Sequence, residues 1–332
     1  MTDSIETGRI LVRNLSTEVL SALSKLASKA ERSLEAEARQ ALKQWVEDHL
    51  NAASKMERTT QVSRRLHFLM DEIRALRSSE PISPSRVAAA LDFEHASQVE
   101  SWFAGEEEPS FKQLETLAQL LGANRNWLQY GEKSPFIVET IQLPRSPAAA
   151  VHLLKIGDNA EEVKEIILVR SDSQRGELTI VCRLNSWKAI TYRTHLHISE
   201  EIGGSGEAAL AWFFLTLKRL HLAHIKDGFL VSSYLLDEQG CSALGSGSRH
   251  ALNVLKESKN ARHNCWWEDI WDEDQYPKHE YWPGWKQLAR RINDVVASYK
   301  KEGLLKAEDY KTQKGTPNET KPKLSTSDED LI

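Results

Sequence analysis

The sequence predicts a multidomain fold: a strand followed by two helices, then an all-α segment, then an α+β domain that contains an antiparallel meander. Alternating residue types at 8–15 predict the strand. Apolar residues then recur at helical spacing to about residue 135, and strand signals return after residue 136. We therefore expect domains at residues 1–55, 60–135 and 136–300, followed by a disordered polar tail at residues 301–332.

Composition and charge exclude several classes of protein. The 332 residues carry a net charge of −5, so any DNA binding would depend on local basic patches. Three cysteines are too few and too scattered for a disulfide framework or a metal site of regular spacing. No apolar run reaches membrane-spanning length, and the opening MTDSIETGRI lacks the order of a signal peptide. We expect a cytoplasmic protein with no membrane segment, no metal and no other cofactor.

The first segment begins with GRILVRNL, in which Arg9, Leu11 and Arg13 share one face of the predicted strand. A lone strand cannot satisfy its backbone groups in water, so it needs a partner. Ser16 is placed to cap a first helix, and a second helix begins at Ser33 after a break at residues 30–32. The apolar stripes of these helices are too large for one copy to bury, which favours an intertwined pair.

ILVRNL in the strand, STEV entering the first helix and RSLEAEAR opening the second resemble the ribbon-helix-helix family of bacterial repressors. The resemblance is strongest to the antitoxins that partner PIN-domain ribonuclease toxins. It implies a homodimer whose swapped β-ribbon enters the major groove of double-stranded DNA. It also implies base contacts by Arg9, Leu11 and Arg13, and a phosphate held at the helix start near Ser33. The alternative is an ordinary edge strand with two solvated arginines.

The second segment reads as a helical domain. Polar residues at 51–61 predict a connector, and apolar residues from Val62 to Leu76 then mark an amphipathic helix. Pro84 suits the first turn of the next helix, and HASQVESWF predicts a helix that buries Val99 and Trp102. Two further helices follow, one over LETLAQLLG and one around NWLQYG.

VAAAL, VESWFAGEEEPS, LETLAQLLG and NWLQYG resemble, in that order, the helix-turn-helix domain of Cro/cI-type repressors. The resemblance implies a recognition helix from about His95 to Trp102. Its outward or leading positions, the candidate DNA contacts, are Ala96, Ser97, Gln98 and Ser101. The segment carries more acidic than basic side chains, and acidic groups oppose phosphate binding. The alternative is a helical domain that serves dimerisation or contact with a partner.

The third segment predicts strands at KEIILVR, GELTIVCRL and WKAITYRTHLHI, then an apolar helix and the strand FLVSSYLL. His195 and His197 alternate on one strand, as metal ligands or general bases could, but no carboxylate or cysteine stands at supporting spacing. An edge or core pair of histidines is the preferred interpretation, and we assign no catalytic residue.

The stretch WWEDIWDEDQYPKHEYWPGW places tryptophans among acids. Its acidic charge would repel a nucleic-acid backbone, so a protein-recognition surface that includes Trp271 and Trp282 is one interpretation. The other is that these tryptophans fill the core of the third domain.

Together these features predict a sequence-specific transcriptional repressor of bacterial, phage or plasmid origin, antitoxin-like, with a carboxy-terminal domain that binds a partner or assembles oligomers. Its expected partners are double-stranded DNA, a second or further copies of itself, and a protein such as a toxin. The alternative is a toxin or anti-phage defence component whose third domain is an enzyme or effector regulated by the first two. A pocket of convergent His, Asp or Glu side chains in the third domain would favour that alternative.

Overall fold

A computed structural model describes residues 12–77, 81–156, 162–258, 262–272 and 279–305. The chain divides into two compact units, Met1–Arg64 with Ser101–Glu108, and Arg65–Glu100 with Pro109–Ile332. Within the described ranges, no helix is long and apolar enough to cross a membrane. The predicted disordered tail begins too early at residue 301, because Lys301 ends the helix Trp285–Lys301 and Leu305 is buried in a core. The rest of that prediction, from residue 306 onward, lies outside the described residues.

The chain from Thr17 to Tyr130 is helical in six pieces. They are α1 Thr17–Lys29, α2 Leu34–Ala75, α3 Pro84–Ala90, α4 Ser97–Ala104, α5 Phe111–Leu121 and α6 Arg125–Tyr130. Their starts follow local capping chemistry: the Ser16 hydroxyl accepts from the Val19 amide at 3.4 Å, as predicted. Ser110 and Gln113 form a reciprocal capping box at the start of α5.

The predicted connector at residues 51–61 is wrong, because this stretch is part of α2, which is 42 residues long. The sequence NAASKMERTTQ is polar, but it contains neither glycine nor proline and is rich in residues that favour helices. Polar residues without glycine or proline can continue a helix and do not by themselves mark a chain break. The predicted boundary between residues 55 and 60 therefore falls inside a helix.

Most of the inward positions predicted for the helical segment are buried, whereas Leu76, Leu91 and Trp127 are half-buried. Each of the following is at most 2% exposed: Val62, Leu66, Leu69, Ile73, Val99, Trp102, Leu114, Leu117, Ala118, Leu121 and Leu128. The helical periodicity was sufficient to find them because one face of an amphipathic helix must leave water.

The third region is built on a six-stranded mixed sheet. Its strands are β1 Val138–Thr140, β2 Glu165–Ser171, β3 Glu177–Arg183, β4 Ala189–His197, β5 Leu230–Leu236 and β6 Arg262–Asn264. They lie in the order β1-β4-β3-β2-β5-β6. The strands β2, β3 and β4 pair antiparallel in succession, whereas β1 runs parallel to β4 and β5 parallel to β2.

The parallel pairs were absent from the predicted meander. The helix α8, Gly204–Asp227, carries the chain from β4 to β5, and a long crossover of this kind permits parallel pairing. The helix itself and the strand β5 were both expected from their apolar runs.

Helices cover both faces of the sheet. One core contains Ile166, Leu168 and Ile180 together with residues of α7 Pro147–Lys155, α8, α11 Trp266–Trp271 and α12 Trp285–Lys301. The opposite core contains Ile167, Val169 and Val181 with residues of α9 Glu238–Ser246 and α10 Ala251–Glu257. The strand β2 therefore alternates between two buried faces, which explains its unbroken apolar sequence.

An interface role for Trp282 is wrong, because its side chain lies in the core and is only 5% exposed. Trp266 and Trp285 are completely buried in the same cluster, where Trp282 and Trp285 pack edge to face at 4.7 Å. Trp271 is half-buried against this core and stacks on His221 at 3.5 Å. The core interpretation of the tryptophan-rich stretch is the one that fits the structure.

Candidate dimerisation and DNA-binding surface

The predicted ribbon lies partly outside the described residues, and with it Arg9 and Leu11. Arg13 is described and exposed, next to Asn14, whose φ is 61°. The described part of this segment, residues 12–15, belongs to no strand of the chain. This is expected if its partner strand is supplied by a second copy, because strand pairing requires a neighbour.

A tight turn joins the first two helices. The Arg32 amide donates to Ala27 O at 2.9 Å, and the Glu31 amide donates to Ser28 O at 3.3 Å. Glu31 itself has a φ of 52°. The pair of crossed bonds satisfies the last carbonyl groups of α1 and requires a left-handed residue at this point.

Ser33 is the residue that starts α2. Its hydroxyl accepts from the Ala36 amide at 3.2 Å, so the side chain acts as a helix cap. Glu35 and Glu37 follow in the first turn, and Arg32 lies 3.5 Å from the Glu37 carboxylate. A phosphate at this helix start would meet free backbone amides and Arg32, but it would also meet the charge of Glu35.

A large apolar surface of α1 and the N-terminal part of α2 is exposed. In residues 12–47 the only buried side chain is Ala27, whereas Trp45 is 58% exposed and Leu26 is 53% exposed. Other exposed apolar side chains here are Val12, Leu15, Val19, Leu20, Leu34, Leu42 and Val46. These residues, from Val12 to Val46, are called the apolar face below. Monomeric proteins rarely expose so many large apolar side chains in one short segment.

The predicted recognition helix begins at Ser97, two residues later than expected from the sequence. Ser97 is exposed, and Ala96, Gln98 and Ser101 are half-buried. Two carboxylates are hydrogen-bonded at this helix: the Ser85 hydroxyl donates to Glu100 at 3.1 Å, and the Ser101 hydroxyl donates to Glu107 at 3.2 Å. Each of these acids would lie close to a phosphate backbone if the helix entered a groove, which is unfavourable.

The candidate histidines of the third region do not form a site. His195 is exposed and His197 half-buried on β4, and no group of three or more metal-ligating side chains occurs among the described residues. A different cluster, which the sequence did not indicate, is formed where the buried Asp269 contacts His279 and Tyr281. Its acids were visible in the sequence, but nothing in their spacing showed that they would converge on one cavity.

The comparisons with known proteins agree with the first segment. Residues 9–46 match the family described as "Antitoxin FitA-like, ribbon-helix-helix". Comparisons with curated proteins and with solved structures found no match to the chain. The family match covers the predicted strand, α1 and the N-terminal part of α2, so the chain carries at its N-terminus a segment similar to the ribbon-helix-helix domain of FitA-like antitoxins.

Proposed function

We propose that the protein is a dimeric, cytoplasmic transcriptional repressor of the antitoxin type, whose N-terminal ribbon binds double-stranded DNA. The apolar face carries this proposal. In one copy the side chains of Leu42, Trp45 and Val46 are exposed to water. A second copy packed on the same residues would bury these side chains. The family match at residues 9–46 supports the same arrangement.

In this proposal the ribbon supplies the sequence-specific contacts. Two antiparallel strands, one from each copy, fit the major groove and would present Arg9, Leu11 and Arg13 to the bases. Arg13 is exposed in the described chain, so it is free to make such a contact. The start of α2 at Ser33 would position the dimer against the backbone.

The helix α4 contributes less to DNA binding than the ribbon does. Its candidate contacts Ser97, Gln98 and Ser101 have Glu100 and Glu107 as neighbours, and these carboxylates disfavour a phosphate backbone. The helical segment would then serve mainly dimerisation or contact with a protein partner such as a toxin.

An enzymatic third domain is the less favoured function. The pocket at Asp269 holds a histidine and a carboxylate that could act as base and orienting group. The thiol in the same pocket, Cys265, is a poor nucleophile because burial and the neighbouring Glu268 raise its pKa. This pocket therefore presents no activated thiol among its described lining residues.

The proposal predicts that Arg13→Ala weakens binding of the full chain to its operator by about 5- to 100-fold, since a good base contact is worth about 1–3 kcal/mol. The measurement is fluorescence anisotropy with overlapping duplexes from the DNA upstream of the gene, at fixed salt. Arg175→Ala is the control of matched charge, because Arg175 is exposed in a turn of the third region. Ser97→Ala should change the affinity by less than Arg13→Ala does.

Equal losses for Arg13→Ala and Ser97→Ala would show that both modules read DNA together. A full chain that binds none of these duplexes above the level of random DNA would contradict the proposal.

A further inference from the structure

A groove of about 380 Å³ runs between the helices α7 and α8 in the second unit. Each helix lines it with residues at the spacing i, i+3, i+4 and i+7, which lie on one helix face. They are Ala148, Val151, His152 and Lys155 on α7, and Arg219, Leu222, Ala223 and Lys226 on α8, with Asp227 at the end of α8. We call it the basic groove, because three of these described residues are lysine or arginine and one is an acid.

The charge of the basic groove is opposite in sign to that of the chain. Three cations and one carboxylate leave a charge of +2 with histidine counted as neutral, whereas the chain carries −5. Lys155 and Lys226 lie in the last turns of their helices, where the helix dipole favours a cation. The dipole does not account for Arg219, which lines the same groove two turns earlier in α8.

Asp227 shows how the basic groove acts on a carboxylate. Lys155 donates to Asp227 Oδ2, and Lys155 Nζ also lies 5.5 Å from the centre of the Phe229 ring. The hydrogen bond and the charge of Lys155, together with the charge of Lys226, lower the pKa of Asp227. The groove therefore favours an ionised carboxylate, and its cations outnumber the one carboxylate among its described lining residues.

Apolar side chains also line the basic groove. Val151 is buried, and Leu222 and Ala223 are half-buried between the charged residues. Beside them in the sequence, Leu153 is 42% exposed and Ile225 is 66% exposed. An inorganic anion would not use this apolar surface, whereas a peptide with carboxylates next to apolar side chains would use both parts.

Residues 327–332, outside the described ranges, have this composition. Their sequence, SDEDLI, places three acids directly before two apolar residues and contains no cation. Seven residue steps along each helix make the groove about 10 Å long, which about three extended residues fill.

The connection to this segment is long enough. Leu305, the last described residue, is buried in the same core as Val151 of the groove. Residues 306–327 then provide 22 residues. A random coil of that length spans about 25 Å.

We propose that the basic groove binds the segment 327–332 of the same chain through its carboxylates and apolar side chains. A tethered segment has an effective concentration of about 1 mM, so weak contacts of this kind are sufficient. The proposal is independent of DNA binding, because the groove and the apolar face belong to different units.

The test is fluorescence anisotropy of a labelled, C-terminally amidated peptide STSDEDLI, residues 325–332, titrated with the full chain. In the wild type the tethered segment competes with the peptide. The full chain with Asp328→Asn, Glu329→Gln and Asp330→Asn, called the neutral-segment chain, lacks this competitor. We expect the neutral-segment chain to bind the peptide with a Kd of about 100 μM and the wild type to bind it about ten-fold more weakly.

Two controls separate specific binding from the effect of net charge. A peptide whose three acids are replaced by the corresponding amides should bind neither chain. A full chain with Glu94→Gln, Glu132→Gln and Glu238→Gln loses the same charge at exposed positions outside the groove. It should bind the acidic peptide as weakly as the wild type does.

Variants in the neutral-segment chain localise the binding. Arg219→Gln and Lys226→Gln should each weaken the peptide by about two- to five-fold, the range expected for an exposed ion pair. Arg175→Gln and Lys112→Gln are the matched controls, because both residues are exposed and do not line the groove. Asp227→Asn should instead tighten binding by a similar factor, a result that misfolding cannot produce.

Several results would overturn the proposal: no binding of the peptide to the neutral-segment chain, an equal loss in Lys112→Gln, or no gain in Asp227→Asn. Equal affinity of the wild type and the neutral-segment chain would show that the groove takes an acidic segment of another protein and not its own. Displacement of the peptide by an equal concentration of random duplex DNA would assign the groove to nucleic acid.

Discussion

Glu31 adopts a left-handed backbone conformation, with a φ of 52°, in the turn between α1 and α2. Residues with a Cβ atom reach this region at a cost of about 1 kcal/mol, and glycine reaches it without that cost. We therefore expect Glu31→Gly to raise the free energy of unfolding by about 0.5–1 kcal/mol, measured by urea denaturation of the full chain at fixed protein concentration.

Lys25→Gly is the control for this substitution. Lys25 is exposed inside α1, where glycine should lower the free energy of unfolding by about 1 kcal/mol. A destabilised Glu31→Gly variant would mean that the carboxylate contributes more than the backbone conformation costs.

His250 links pH to stability. Its ring is completely enclosed, with Nε2 3.3 Å from Trp187 O and Nδ1 accepting from the Leu252 amide at 3.3 Å. Burial lowers the pKa of the imidazole from 6.5 to about 4. Between those two values the unfolded chain binds more protons than the folded chain, so stability falls as the pH is lowered through this window. The shift corresponds to about 2–3 kcal/mol lost from pH 7 to pH 4.

The measurement compares urea unfolding at pH 7 and pH 4.5 in the wild type and in His250→Asn. Asparagine retains a side-chain acceptor for the start of α10 but does not titrate, so the variant should lose less stability on acidification. His195→Asn, at an exposed position, should keep the wild-type pH dependence. An unchanged pH dependence in His250→Asn would assign the effect to other groups, among them His221, whose pKa burial also lowers to about 4.

At the scale of elements, local chemistry was readable from the sequence and long-range pairing was not. The cap at Ser16, the turn at residues 30–32 and the start of α3 at Pro84 depend on neighbouring residues, so their sequence signals were sufficient. The length of α2 was missed because a polar helical stretch and a linker have similar composition. The parallel neighbours of the meander depend on residues far apart in the chain, which no local pattern records.

The apolar face of α2 leads to a prediction about assembly. Leu42 is 45% exposed in a single copy, next to the more exposed Trp45. If a second copy covers this face, Leu42→Glu places a charge in an apolar interface, and the protein should sediment as a monomer. The measurement is sedimentation equilibrium of the full chain at several concentrations.

Gln40→Glu introduces the same charge at an exposed polar position of α2 and should leave the dimer intact. A wild-type chain that sediments as a monomer at micromolar concentration, with α1 and α2 still helical, would show that the apolar face needs no partner.

At the scale of the whole molecule, charge and stability are distributed unevenly. The net charge is −5, so the chain as a whole does not attract DNA, and affinity must come from a few positions such as Arg13. Stability is also local: the sheet region has its own cores on both faces, whereas residues 12–47 bury only Ala27. The sheet region therefore buries its core in a single copy, whereas in the proposed function a second copy covers the N-terminal segment.

This difference predicts two unfolding transitions in the full chain. The N-terminal transition should move to higher temperature as the protein concentration rises, because dimerisation stabilises only the folded state. The transition of the sheet region should not move, since its core is complete within one copy. Circular dichroism reports the helices, and the fluorescence of the buried Trp266 and Trp285 reports the sheet region. Leu42→Glu should abolish the concentration dependence and leave the fluorescence transition in place. A single transition that is independent of concentration would instead mean that the N-terminal helices are stabilised within one chain, and the dimer would lose its physical basis.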